Sequence, residues 1–283
     1  MSAQTPNPPN PAAAIDPENY KFLQEYVYRE SGIVLDGDKH YLLEARLTPI
    51  LRQRQLSTLN DLCALLQAAN GDTPLKRQVV EAMVTHETSF FRDPVQYDAL
   101  RTVVLPELIE QRRDSKRLSF WSAAASSGQE AYSLAIMLLE MGLGDWNIQI
   151  LATDLSTQVL ERARTGKFLQ IEVNRGLPVS HLVKYFRRAG LDWQLKDEVR
   201  NMVRFAPLDL RQSMRTLGPF DIVFCRNVLI YFDIESKKKI LAEIRETLFR
   251  GGYLLLGGSE TTLNLDERFA RKLVGPAVFY QAP

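Results

Sequence analysis

The chain has 283 residues, 45% of them apolar and 24% charged, with 35 basic against 34 acidic side chains and a formal net charge of +1. That size fits two unequal domains of a soluble globular protein, and the balanced charge excludes a global field that would draw the molecule onto nucleic acid or an anionic membrane. Two cysteines, Cys63 and Cys225, are too few for a disulfide framework, and the scattered His40, His86 and His181 give neither metal-ligand spacing nor a Ser or Cys triad, which argues against metal and hydrolytic chemistry.

Residues 1–14, MSAQTPNPPNPAAA, lack periodicity and are expected to form a disordered tail. The stretch has neither the basic start nor the apolar core of a secretory signal, and no run approaches roughly eighteen apolar residues, so a cytoplasmic protein without membrane insertion is expected. Asp16 and Pro17 suit a helix start, Tyr20, Leu23, Val27 and Tyr28 follow at helical spacing, and Gly32 suits the stop. Helical patterns recur near 39–56, 58–69 and 74–85, which makes residues 15–85 a small all-α domain, followed by a linker over 86–105.

From about residue 106 a second domain begins, in which short apolar runs alternate with helices. RLSFWSAAA precedes a helix near 129–141, and IQILATD precedes one near 156–165. MVRFAPLDL and DIVFCRN follow, then a helix near 234–249 and YLLLGGSE. Such alternation implies an α/β fold with a mostly parallel sheet wound on both faces. RFARKLV and AVFYQA, around Gly275 and Pro276, read as an antiparallel ending. Residues 166–201 are too long for a simple crossover, with a helix near 180–187 and a hairpin turning near Gly190. They read as an inserted subdomain, the alternative being a decorated loop.

In an open α/β sheet the ligand lies beyond the carboxyl ends of the strands, so the turn Ala123-Ala124-Ala125-Ser126-Ser127-Gly128-Gln129-Glu130 is the candidate site. One glycine and no GxGxxG disfavour a dinucleotide and the nicotinamide-dependent reductase it would imply. Small residues and Glu130 suit the methionine part of S-adenosylmethionine, which carries no phosphate. Asp154, ending LATD, can accept from ribose hydroxyls, although an Asp there also serves as a helix N-cap, a role open to Ser156 too. Asp209 can accept from the adenine amine; a plain turn residue is the alternative. Cys225 sits in an apolar strand and reads as a small buried hydrophobe.

Four strings, THETSFFRD (85–93), FWSAAASSGQEAYS (120–133), CRNVLIYF (225–232) and GGYLLLGGSE (251–260), resemble the CheR-type chemoreceptor glutamate O-methyltransferases, and the likeness runs from about residue 18 to 280 in the family's order. The resemblance implies a class I, Rossmann-like methyltransferase domain with a small inserted β-subdomain behind an all-α domain. It implies S-adenosylmethionine as cofactor, S-adenosylhomocysteine as product and no metal. Its cofactor contacts fall on Thr88, Ser89, Arg92, Glu130, Asp154, Asp209, Leu210, Cys225, Arg226 and Asn227, beside Ala124 of the small-residue turn. Tyr231 matches a tyrosine near the transferred methyl. Two departures stand out: His86 replaces a common Asn two positions before the linker Thr, and Asp209 replaces another Asn while keeping an acceptor. The hairpin RAGLDWQL is shorter than in relatives that bind a receptor pentapeptide, so no such tether is assumed.

Methyl transfer to a glutamate, ionised above its pKa of about 4.3, needs no catalytic base, and the enzyme's work is alignment and exclusion of water. Arg92 and Tyr231 are the expected catalytic residues, Arg92 as an orienting group, with a linker salt bridge as the alternative. The expected partners are the cytoplasmic domains of chemoreceptors, with a monomeric enzyme and no nucleic acid: an Asn/Asp-Pro-Pro-aromatic string is missing. Lys39, Arg46, Arg52 and Arg54 against Glu44 make the second helix basic, and Arg46, Arg52 and Arg54 are taken as substrate-binding residues for acidic receptor helices, the alternative being a solvated helix face. A cofactor-binding regulatory or scaffold module without turnover stays open on sequence alone.

Overall fold

A computed structural model describes residues 15–35, 37, 40–68 and 73–283. The tail expected over residues 1–14, and Lys39 of the basic helix, lie outside the described residues. The chain divides into two units, one running to Thr85 and including Tyr231–Asp233, the other comprising His86–Ile230 and Ile234–Pro283.

The first unit is helical. Helix α1 (Pro17–Ser31) has Pro at its first position and ends at Gly32, whose φ of 75° lets its N–H reach the Tyr28 carbonyl; Asp16 precedes it without a side-chain cap. Helices α2 (His40–Arg54), α3 (Leu59–Gln67) and α4 (Thr73–Met83) follow. The start of α3 is set by a reciprocal cap, Thr58 accepting from the Asp61 amide and Asp61 from the Thr58 amide. Leu23, Val27, Leu47, Leu51, Leu62 and Val79, spaced along the four helices at helical periods, are fully buried and form the core.

The second unit opens with α5 (Pro94–Ala99), which passes through a π-helical turn (Leu100–Val104) into α6 (Leu105–Gln111). The stretch expected as a linker over 86–105 is part of this unit's core. Phe90, Tyr97, Leu100, Val104 and Leu105 are buried in it. The Phe90 ring meets Phe168 and Phe186 edge-on at 5.0 and 5.7 Å. Pro94 and Pro106 occupy first turns, and the π turn between the two helices shifts the apolar period.

Strand β1 (Arg117–Ala123) leads to α7 (Gln129–Glu140), β2 (Asn147–Asp154) and α8 (Thr157–Thr165). The insertion follows: β3 (Lys167–Phe168), α9 (Gln170–Val173), α10 (Val179–Tyr185), β4 (Phe186–Ala189), β5 (Asp192–Leu195) and α11 (Asp197–Arg200). Its three strands form their own antiparallel sheet in the order β3-β5-β4, turning at Gly190 as expected. Then come β6 (Val203–Pro207), β7 (Phe220–Cys225), α12 (Ile234–Glu246), β8 (Leu248–Leu256) and the antiparallel β9 (Ala270–Val274) and β10 (Ala277–Gln281). The main sheet runs β6-β2-β1-β7-β8-β10-β9, parallel from β6 to β8. Helix α7 is apolar all round, with Ala131, Tyr132, Leu134, Ala135, Ile136 and Leu138 buried, as a helix sunk in the core requires.

Candidate cofactor and catalytic site

Strand β1 has β2 on one side and β7 on the other, so the chain reverses its direction of winding there, and in an open parallel sheet the crevice for a ligand is expected beyond the carboxyl ends of these strands. The loops around it are held in a rarely populated backbone region: Phe91, Asp93, Ala124, Ser126 and Asn227 all have φ between 46° and 59°. Left-handed backbone at non-glycine residues persists only where the surroundings enforce it, and such residues cluster at functional sites. Gly128, with φ of 92°, has no room for a side chain, because a Cβ would lie 3.1 Å from the Phe205 and Tyr132 rings.

Asp154 is buried at the end of β2 and joins two loops, one carboxylate oxygen accepting from the Ser126 amide at 2.9 Å and the other from the Ser156 amide at 3.0 Å. The Ser156 hydroxyl caps α8 through the Val159 amide, so Asp154 is not that helix's cap. The remaining lone pairs of a carboxylate held this rigidly suit two ribose hydroxyls. Asp209, beyond β6, is engaged by Arg211 through both oxygens, at 3.0 and 2.6 Å, and its neighbour Leu210 is buried.

Arg226, just after β7, is a hub. Its side chain is 2% exposed and donates to Glu130 Oε2 at 2.9 Å, to Asp93 Oδ2 at 2.6 Å and to the Arg92 carbonyl at 2.8 Å. Burial opposes its charge, and Glu130 foremost among its partners holds the guanidinium pKa above its ordinary value. Glu130 accepts in addition from the Ser122 hydroxyl at 2.7 Å. Both residues, expected as cofactor contacts, therefore spend their charges on each other and tie the 92–93 turn, β1, α7 and the end of β7 together. Cys225 is fully buried; burial, then the charges of Glu260 and Glu130, push its thiol well above the ordinary range.

The 86–93 segment is pinned to the same crevice. The Ser126 hydroxyl donates to the His86 carbonyl at 2.9 Å, and the Phe91 amide donates to the Ser133 hydroxyl at 2.9 Å. Thr88 is half-buried and Ser89 buried. Arg92 is half-buried and donates from Nη1 to the Glu87 carbonyl at 3.2 Å, while the neighbouring Asp93 pairs with Arg226. Tyr231 ends a short 3-10 turn (Leu229–Tyr231) and groups with the helical unit, its carbonyl accepting the Val34 amide at 2.9 Å.

Of the basic helix, Arg46 turns inward, donating to the Met83 carbonyl and, at 2.7 Å, to the Thr85 hydroxyl. Arg54 reaches Gln78 at 3.3 Å, and Arg52 is exposed. Arg46 thus holds the end of α4 through two neutral acceptors and keeps its charge.

Sequence reasoning missed Glu260. Its Oε2 accepts from the Asn227 and Gly257 amides, both at 2.7 Å, and its Oε1 from the Val228 and Ile230 amides at 3.0 and 3.3 Å. The only signal was its place at the end of GGYLLLGGSE.

An open groove of about 1310 Å³ lies at the opposite end of the sheet, against the strand starts. Its arginines are largely committed, Arg112 to Asp221, Arg164 to Glu161 and Arg200 to Asp197, and the strained loops lie elsewhere. Among the described residues, no group of His, Cys, Asp and Glu has the makings of a metal site, and no helix is long and apolar enough to cross a membrane.

Two family models match the chain: the CheR methyltransferase all-alpha domain over residues 18–84, and the CheR methyltransferase SAM binding domain over 86–274. Chemotaxis protein methyltransferase 1 of Pseudomonas aeruginosa is 40% identical over 93% of this chain and 97% of its own length. Chemotaxis protein methyltransferase Cher2 of Pseudomonas putida is likewise 40% identical, over 93% and 98%. A chemotaxis protein methyltransferase of Vibrio parahaemolyticus is 38% identical over 95% and 98%.

Proposed function

The chain belongs to the CheR methyltransferase family, and from that premise we propose that it esterifies glutamate side chains on the cytoplasmic domains of chemoreceptors. It is an S-adenosylmethionine-dependent methyltransferase of chemotaxis. The observation that carries the reading of the site is the convergence of five strained loop residues with Asp154, Glu130 and Arg226 beyond β1, β2 and β7, inside the segment matched by the SAM binding domain. That crevice fits the cofactor: the turn after β1 is built of Ala and Ser, and Asp154 is a rigidly held acceptor for a diol. S-adenosylmethionine, when bound, supplies an electrophilic methyl group on sulfur.

The residues of the chain do the rest. Asp154 fixes the ribose, while Thr88, Ser89, Ala124 and Asn227 close on the cofactor through backbone and short side chains. Asp209 and Leu210 bound the adenine end, and the Asp209 pair with Arg211 opens or shares its acceptors there. Arg226 and Glu130 hold the turn that carries Arg92. The Arg92 guanidinium, which donates to the Glu87 carbonyl, orients the substrate carboxylate through its planar fork and leaves the attacking oxygen free. By the family resemblance alone, Tyr231 matches a tyrosine near the transferred methyl group. A glutamate is ionised at neutral pH, so no base is needed, and the nucleophile is activated by loss of water. The enzyme works as a cytoplasmic monomer in this reading, with Arg46, Arg52 and Arg54 as the candidates for contact with acidic receptor helices.

Calorimetry with S-adenosylhomocysteine and with NADH tests the cofactor assignment: the first should bind and the second should not. Arg92→Ala should lower turnover far more than S-adenosylhomocysteine affinity. A variant with full activity, or one in which both fall together, would remove Arg92 from the reacting end.

A further inference from the structure

We propose that Glu260 is the positioning residue of the cofactor turn after β7, acting through the backbone of residues 227–230 and not by touching the cofactor; the assignment rests on the methyltransferase reading above. Four backbone N–H groups converge on one carboxylate. Two of them, from Asn227 and Gly257, lie at 2.7 Å from Oε2, and those of Val228 and Ile230 lie at 3.0 and 3.3 Å from Oε1. Three of the four donors belong to the turn that follows Cys225 and Arg226, and the first of these, Asn227, has φ of 58°. A carboxylate that accepts this many amides satisfies groups that a left-handed turn leaves without strand partners, and charge-assisted bonds of this kind are the strong ones.

The neighbouring strand end is shaped for the same contact. A Cβ on Gly257 would sit 2.5 Å from Asn227 Nδ2 and 2.8 Å from Glu260 Oε2. Gly257 therefore lets the loop after β8 approach the loop after β7, and Glu260 bonds the two. The consequence reaches both halves of the crevice, because the turn begins with Arg226, whose guanidinium fixes Glu130 and the 92–93 turn. Glu260 thus sets the conformation from which Asn227 faces the cofactor and Arg226 faces its buried partners.

The test is S-adenosylhomocysteine calorimetry and steady-state kinetics on E260Q and G257A, with unfolding followed in parallel. The Gln side chain keeps one acceptor and turns an NH2 toward amide donors, while G257A keeps every charge and displaces the Glu260 carboxylate and the Asn227 amide, whose ends lie where its Cβ would sit. Both variants should weaken S-adenosylhomocysteine binding by about tenfold or more, the equivalent of one strong hydrogen bond. Their KM for S-adenosylmethionine should rise in step, and by a larger factor than kcat at saturating cofactor falls, since the loss is chiefly one of binding. Wild-type affinity in the folded variants, even with lowered stability, would make Glu260 a structural prop and overturn the assignment. Should E260Q fail to fold, G257A decides alone. A wild-type chain that bound no S-adenosylhomocysteine would overturn the methyltransferase reading and this inference with it, whereas wild-type binding that the variants leave unaltered overturns this inference only.

Discussion

Arg226→Ala should destabilise the second unit by about 3–5 kcal/mol, the cost of leaving a buried charge without its partner. The size follows from where the two acids stand. Glu130 is 13% exposed and would keep only the Ser122 hydroxyl, so its desolvation goes uncompensated. Asp93 is 46% exposed and regains water, so its lost pair adds little. For a unit of this size, each kcal/mol at the melting midpoint is worth about 2–4 °C, which gives a fall of roughly 6–20 °C. Equilibrium denaturation in urea, with calorimetric melting alongside, measures it. The double variant Arg226→Met with Glu130→Gln removes both charges and should recover most of the loss, because a neutral pair of similar volume avoids the cost of a buried unpaired charge. A single Ala variant within about 1 kcal/mol of the wild type would mean that the guanidinium is hydrated, and that Arg226 does not organise the crevice.

Asp154→Ala should weaken S-adenosylhomocysteine binding by about 1.5–3 kcal/mol in calorimetry, through lost charge-assisted bonds to the ribose and release of the Ser126 and Ser156 amides, with Asn losing less; an unchanged dissociation constant would remove it from the site. Arg46→Ala should cost the helical unit about 2 kcal/mol in denaturation experiments, since it forfeits bonds to the Met83 carbonyl and the Thr85 hydroxyl. Arg52→Ala should leave stability unmoved and, if the helix meets acidic receptors, raise the KM for receptor and flatten its salt dependence. Both thiols should resist alkylation in the native state well above pH 8.5, where an exposed thiol reacts: burial, with a smaller push from Asp16, raises Cys63 to about 12, and Cys225 lies well above its ordinary value. Denaturation should release two reactive groups, and native labelling at pH 9 would contradict their burial.

The alternation of apolar runs with helices carried the parallel sheet, and the hairpin at Gly190 was legible because a turn residue separates two short β-forming runs. Strand-end acids at Asp154 and Asp209 were legible for the same reason: a residue after a strand has a place fixed by topology. The helices within the 86–105 stretch carry little periodic signal, because a π turn breaks the 3.6-residue period. Arg46 carried a signal that a charge tally ignored, standing three residues after Leu43 and four before Ile50, beside the buried face of α2. The partners of Arg226 lie 96 and 133 residues away in sequence, so nothing local distinguishes a hub from a cofactor contact. Glu260 was invisible as chemistry because it bonds only backbone, whose demands appear once the loops are folded.

The most direct measurement is transfer of an isotope-labelled methyl group from S-adenosylmethionine to a chemoreceptor cytoplasmic fragment, followed by treatment with base. Methyl esters of glutamate are hydrolysed by alkali to volatile methanol, while methylated nitrogen is stable. The account predicts label in the receptor that is released as methanol by base, and that is lost when the accepting glutamates are replaced by alanine. Label that survives base, or a receptor left unlabelled by an enzyme that binds S-adenosylhomocysteine, would contradict it.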